Sequence, residues 1–285
     1  MRLLNLLKEN NIIKISPDAT LSQALSKLST SHDAVFVFDD KEKFLGLINP
    51  YYHAIRSSYP SNTKVINCLF HPPKIYINYP LTKVTELFIQ SKVHYLPVFD
   101  KQDNFLGIIS ARRVLSYLRS LPLFEEKIGE FIKFKKLPVI IETNTPVSEA
   151  INLFKKEKVS KLIVVDKDNK LKGVLSYYDL INLLITPKVK ESKGDRLGSK
   201  FHLLNKPVYE YYKTTVLVLT EDDSLKKAVE LILDKKIGSV IIVDKTKKPL
   251  NIITTRDLLQ FYINQSKAGF FKKITSKIKL ILPKK

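Results

Sequence analysis

The sequence predicts an α+β fold made of four α/β-type repeats, each running β-α-β-β-α. Three observations carry this. An eight-residue window occurs four times, as GLINPYYH (Gly46–His53), GIISARRV (Gly107–Val114), GVLSYYDL (Gly173–Leu180) and NIITTRDL (Asn251–Leu258). Seven positions before each window an aspartate (Asp39, Asp100, Asp166, Asp244) ends a short apolar run rich in β-branched residues. Upstream of each run, apolar residues recur at helical spacing. Self-similarity in fixed register is the signature of a repeat architecture.

Each repeat opens with an apolar-rich segment: Leu3–Leu7, Val65–Leu69, Ile128–Ile132 and Val208–Tyr212. A short extended run follows, at Ile12–Ile15, Ile75–Ile77, Val139–Ile141 and Val216–Leu219. A polar turn then starts a helix. In the first repeat Pro17 and Asp18 are turn formers and Thr20 is the expected N-cap. The helices bury one face, through Leu21, Ala24, Leu25 and Leu28 in the first repeat and Leu225, Ala228, Val229 and Ile232 in the last. The runs Val35–Phe38, Leu96–Phe99, Leu162–Val165 and Val240–Val243 read as buried strands. Turn formers such as Lys101-Gln102-Asp103-Asn104 join each run to its window as a hairpin, and a second helix follows.

From Leu3 to about Tyr262 these residues resemble the CBS (cystathionine-β-synthase) domain, four times over. The resemblance implies that tandem domains pack through their sheets into compact pairs, called Bateman modules. Four repeats in two pairs are similar in layout to the γ subunit of AMP-activated protein kinase and to stand-alone prokaryotic CBS proteins. The expected division is a first pair over 1–122 (repeats about 1–60 and 61–122) and a second over 123–263 (repeats about 123–187 and 201–263). A polar linker at 188–200 lies within the second pair, and a basic amphipathic tail spans 264–285.

In this family the cleft of a pair often holds an adenosine ligand, its ribose gripped by a hydroxyl and an aspartate of the window. Carried over, Ser176 and Asp179 would do this in the third repeat, and Thr254 and Asp257 in the fourth. Ile140, Ile141, Val218 and Leu219 would wall the adenine, while Arg256, His94 and Arg112 would meet phosphates. A carboxylate at a helix start is favoured by the helix dipole and accepts hydroxyl hydrogen bonds. The competing reading makes Ser176 and Thr254 plain helix caps, with the aspartates favourable in the first turn. The first pair departs from the pattern. Asn49 and Tyr52 replace hydroxyl and acid in the first repeat, and Arg113 replaces the acid beside Ser110 in the second. An arginine has no acceptor for ribose but pairs with phosphate. The first pair is therefore expected to serve packing, dimerisation or phosphate contact. Asn251, standing where the other windows have glycine, is an exception wherever backbone must approach closely.

At 285 residues the chain accommodates two domains with their own cores. One cysteine, Cys68, excludes an intrachain disulfide and suits a reducing cytoplasm, and the five histidines lack zinc-site spacing. No apolar run reaches a membrane span or a signal-peptide core, so a cytoplasmic location is expected. The formal charge of +20 points to anionic partners or to a solvated lysine-rich surface. In the tail, Phe271, Ile274, Ile278 and Ile281 share a helical face among lysines, which fits docking on an anionic surface or on the protein itself. No phosphate loop, zinc-protease helix, nucleophile elbow or kinase signature is present. The leading expectation is a non-enzymatic regulatory, energy-sensing protein without metal. It would bind AMP, ADP or ATP in the second pair and signal to a partner. The alternative is a DNA- or RNA-binding protein that uses its basic surface and tail.

Overall fold

A computed structural model describes residues 3–28, 34–56, 59–181, 183 and 203–281, with backbone alone for Ala54 and residues 269–281. In the first repeat β1 (Lys14–Ile15) lies parallel to β2 (Val35–Phe38), which pairs antiparallel with β3 (Phe44–Ile48); α1 (Leu21–Leu28) is the crossover. The second repeat has β4 (Ile75–Tyr76), α2 (Leu81–Ser91), β5 (Tyr95–Phe99), β6 (Phe105–Ser110) and α3 (Ala111–Leu118) in the same arrangement. The third has α4 (Ile128–Ile132), β7 (Ile140–Glu142), α5 (Val147–Glu157), β8 (Lys161–Val165) and β9 (Leu171–Ser176). The fourth has β10 (Val218–Leu219), α6 (Leu225–Asp234), β11 (Ser239–Val243), β12 (Pro249–Thr254) and α7 (Thr255–Ile281). The α+β repeat order read from the sequence is thus the observed one. Two second helices depart from α geometry: Tyr51–Arg56 is π-helical and Tyr177–Leu180 is a 3-10 turn.

Thr20 caps α1 reciprocally. It accepts from the Gln23 N–H, while the Gln23 side chain accepts from the Thr20 N–H. The strand-ending aspartates shape the hairpins. One carboxylate oxygen of each accepts the backbone N–H groups two and four residues on, at Lys41 and Lys43, Gln102 and Asn104, Asp168 and Lys170, Thr246 and Lys248. The residue between (Glu42, Asp103, Asn169, Lys247) has positive φ, and all four hairpins carry a bulge at the same place. The Asn104 side chain on Asp100, and the Lys170 and Lys248 amides on Asp166 and Asp244, hold these carboxyls below their ordinary value.

Each sheet has helices on one face, and its other face packs on the partner repeat. In the first pair this interface is aromatic, with Phe38 edge-on to Phe105 at 5.0 Å and Phe44 stacked on it at 5.7 Å. In the second it is aliphatic: Ile163, Val165, Val174, Ile241 and Val243. The helical faces join the pairs. Helices α2 and α3 share one core with α6 and α7, so the second repeat lies on the fourth. Tyr51 and Ile55 enter the core of the third repeat, where the Tyr51 hydroxyl donates to the Phe154 carbonyl at 3.2 Å.

Within a pair the chain also crosses over. The segment entering one repeat hydrogen-bonds reciprocally to the window of the other, as Lys8 with Ile108, Phe70 with Leu47, and Lys213 with Val174. The glycine beside each bridge admits the crossing backbone: a Cβ on Gly173 would lie 2.2 Å from the Lys213 carbonyl, and one on Gly107 would lie 2.6 Å from that of Lys8. Among the described residues no helix is long and apolar enough to cross a membrane, and no His, Cys, Asp and Glu side chains cluster as metal ligands. The linker at 188–200 and the apolar stripe of the tail fall outside the described residues, although the tail backbone continues α7 to Ile281.

Gly173→Ala should therefore destabilise the fold by roughly 1–3 kcal/mol, the usual cost of overpacking. Gly129→Ala, whose new Cβ would make ordinary 3.4 Å contacts with Glu221, should be neutral or mildly stabilising. Urea denaturation of the two variants checks this.

Candidate functional site

A cavity of about 340 Å³ opens where the third and fourth repeats meet the second. That is within the size of small-molecule sites, roughly 300–1,000 Å³. On one side stands the turn after β9. The Ser176 N–H and hydroxyl both donate to Asp179 Oδ2 at 2.7 Å, and the hydroxyl also accepts from the Asp179 N–H in a capping box. The serine is thus a cap that fixes the carboxylate. Asp179 Oδ1 is the oxygen left over, 3.3 Å from the ammonium of the solvent-exposed Lys213.

The fourth repeat builds the same device. Thr254 donates from N–H and hydroxyl to Asp257 Oδ2 at 2.8 and 2.7 Å. Here Oδ1 is taken by Lys135 at 2.8 Å, and Asp257 does not line the cavity although Thr254, Thr255 and Arg256 do. Thr220 and Asp223 make the same pair of contacts away from the cavity, so the cap by itself marks no site. What distinguishes Asp179 is that it lines the cavity and that its remaining oxygen meets the exposed Lys213 ammonium.

The same lining carries Arg112, Lys161, Lys213, Lys236 and Arg256 together with His94, and Asp179 is the one acidic residue among them. The second repeat reaches in because it packs on the fourth. The Arg112 guanidinium donates to the Lys236 and Ile237 carbonyls at 3.0 and 3.3 Å, just past the end of α6, where the helix dipole favours a cation. Lys161, at the start of β8, donates to Ser239 Oγ at 2.7 Å. Burial pushes its amine down to about 8; Asp179 opposes that fall, while Lys213 and Arg112 add to it. Burial also lowers the Arg256 guanidinium. Like charges gathered in one recess destabilise each other unless an anion joins them.

Several expected site residues lie elsewhere. Ile140 and Val218 are outward-facing on edge strands, 40% and 47% exposed, while Ile141 and Leu219 point into the helical cores. None of the four walls the cavity. Val174, Val216, Leu217 and Ile241 do so instead. Arg113 does not line the cavity either; its guanidinium donates to the Leu6 and Leu7 carbonyls at 3.2 and 2.6 Å. In the first repeat the Tyr52 ring stacks on Phe70 at 4.4 Å, and Asn49 Oδ1 caps the next turn through the Tyr51 and Tyr52 amides. His94, Arg112 and Arg256 are brought together at the cavity as expected residues. Lys161, Lys213 and Lys236 were not foreseen. The signal for Lys161 is its register: it pairs with Ser176, where the equivalent partners of Ser110 and Thr254 are the uncharged Tyr95 and Ser239.

A family model described as CBS domain matches residues 7–51, 68–120, 134–186 and 208–264. The chain is 26% identical over 211 residues to the 5'-AMP-activated protein kinase subunit gamma of Dictyostelium discoideum, covering 66% of this chain and 34% of that protein. It spans between 34% and 62% of the length of four curated relatives it matches. The crystal structure of protein MJ1225 from Methanocaldococcus jannaschii superposes with a TM-score of 0.78 at 19% identity, over 92% of this chain and 100% of that one. A structure from Pyrococcus horikoshii aligns with a TM-score of 0.60 at 18% identity, over 91% and 99%.

Lys161 gives the site a pH signature. Between about pH 8 and 10.5 the unfolded chain holds the Lys161 proton and the folded chain has released it, so this group's contribution to stability rises with pH. Lys161→Met should be more stable than wild type at pH 7, by on the order of 3 kcal/mol at most, with the gap closing towards pH 10. Thermal melts of both proteins across this range measure the gap.

Proposed function

The chain belongs to the CBS-domain family, and from that premise we propose a regulatory protein that binds an adenine nucleotide, AMP, ADP or ATP, in the cavity of its second pair. One observation carries the reading: a carboxylate fixed by Ser176 lines one small cavity together with Arg112, Lys161, Lys213, Lys236 and Arg256. A ribose hydroxyl suits Asp179 Oδ1, whose other oxygen is already saturated by Ser176. Phosphates suit Lys161, Arg256 and Arg112, and Lys213 swings into solvent as the ribose enters. The name of the relative, a γ subunit of a 5'-AMP-activated kinase, supports an adenine nucleotide as the class of ligand.

The protein acts without chemistry of its own. Because Arg112 and His94 come from the first pair, and Lys161, Lys213, Lys236 and Arg256 from the second, an anion at their centre binds one arrangement of the two pairs better than another. Differential affinity of that kind turns occupancy into a signal for a partner protein.

The test is thermal-shift titration with AMP, ADP, ATP and GMP. At a ligand concentration 100-fold above Kd, binding stabilises by about 2.7 kcal/mol. Asp179→Asn should weaken every adenine nucleotide at least tenfold. Lys161→Met should weaken AMP yet leave adenosine unaffected. No shift of wild type by any purine nucleotide rules the reading out.

A further inference from the structure

The third and fourth repeats are related by a constant offset, so each residue of one half has a counterpart in the other: Asp179 with Asp257, Lys213 with Lys135, Gly173 with Asn251, Val174 with Ile252. In the first half the backbone of Lys213 bridges Val174 with two hydrogen bonds of 3.0 Å, passing over Gly173. The second half cannot do this. Asn251 is buried, and a side chain at this position fills the space that the crossing backbone needs. The bridge is replaced atom for atom by side chains. Asn251 Oδ1 accepts from the Ile252 N–H at 2.8 Å, and the Lys135 ammonium donates to the Ile252 carbonyl at 2.9 Å. The same ammonium reaches Asp257 Oδ1 at 2.8 Å and lies 5.7 Å from the Phe131 ring. The chain on either side is pushed outward, leaving Phe134 and Leu137 89% and 77% exposed.

From this arrangement we propose that Lys135 is an internal ligand of the Asp257 half of the second pair. It occupies the carboxylate oxygen that a ribose would use, so the chain binds one adenosine-type ligand, in the Asp179 half. The contrast with Lys213 supports this. Lys213 has one acceptor at 3.3 Å and a side chain 63% exposed, so water replaces it at small cost. Lys135 has two acceptors below 3 Å and a side chain 20% exposed. Removing it from Asp257 breaks two charge-assisted hydrogen bonds, which a neutral hydroxyl does not replace. The asymmetry originates in Asn251: with glycine there, backbone would satisfy Ile252 and the lysine would be free to leave.

The inference rests on the adenosine reading of the cavity, and calorimetric stoichiometry with AMP separates the two. Wild type is expected to bind one AMP per chain. Lys135→Ser should bind two, the second in the Asp257 half. Lys135→Met keeps the aliphatic stem against Phe131, removes the donor, and should also bind two. It serves if the serine variant is unstable. Wild type binding two overturns the inference and leaves the adenosine reading intact, as does one AMP in wild type and in both variants. If wild type binds none, the reading of the Asp179 half fails. In that case the variants still decide the role of Lys135: one AMP gained upholds it and none refutes it.

Discussion

A three-stranded sheet with helices on one face only cannot stay folded with its other face in water. Everything else in this chain follows from the way that face is covered. Each repeat lends its bare sheet to a second copy, with rings such as Phe38, Phe44 and Phe105 in the first pair and branched aliphatic residues in the second. Buried apolar area of this kind is the dominant favourable contribution to folding. The helical faces then repeat the solution at a larger scale, putting α2 and α3 on α6 and α7. Covering the sheets creates the pairs; covering the helices brings the second repeat to the mouth of the second pair. The cavity lies at the junction of these two packings and belongs to neither alone.

The constraint is strict in the core and lenient at the window. Once the two sheets face each other, a segment of each repeat must cross the window of the other, and three glycines make room for it. What fills the end of the crossing depends on one side chain. At that register position Tyr52 stacks on Phe70, Arg113 binds two carbonyls, Asp179 faces an exposed lysine, and Asp257 holds a partly buried one. In the first pair the occupant is therefore part of the chain itself, a ring or a guanidinium. In the Asp179 half the nearest occupant is a solvated ammonium that leaves easily, and that half adjoins the cavity.

The repeat order, the paired strands and the amphipathic helices were legible in the sequence because each rests on local periodicity. The strand-ending aspartates were visible too, and their identical spacing has a local cause, since each supplies the two hydrogen bonds that bend its hairpin. Of the site, Ser176 and Asp179 were legible as a hydroxyl and an acid at a helix start, Arg112 and Arg256 as cations in register, and His94 by the resemblance to the family. Val218 and Ile140, expected to wall an adenine, are not among the cavity lining; they sit on edge strands of only two and three residues. Alternation along so short a strand leaves its inward face undetermined, and the cavity is lined instead by Val216 and Leu217 just upstream. The engagement of Asp257 by Lys135 was not legible at all, because it joins residues 122 positions apart through a chain crossing that only the paired sheets define.

The substitution at Asn251 shows how such a fold generates difference from repetition. A glycine in this place is not required for the hairpin, which forms equally well in the fourth repeat. It is required only by the neighbour whose backbone passes over it. Replacing it therefore leaves its own repeat intact and changes what the other repeat's entering segment does. The amide of Asn251 satisfies one orphaned group of Ile252, and a lysine from across the pair satisfies the other while also holding Asp257 Oδ1. Buried backbone groups must find partners, so the position of a lysine and the availability of a carboxylate are tied to one missing glycine. Asp179 and Asp257, equivalents in register, come to have different partners although both are retained. Identical residues in register therefore do not fix identical surroundings; the hydrogen bonds of the crossing chain set them.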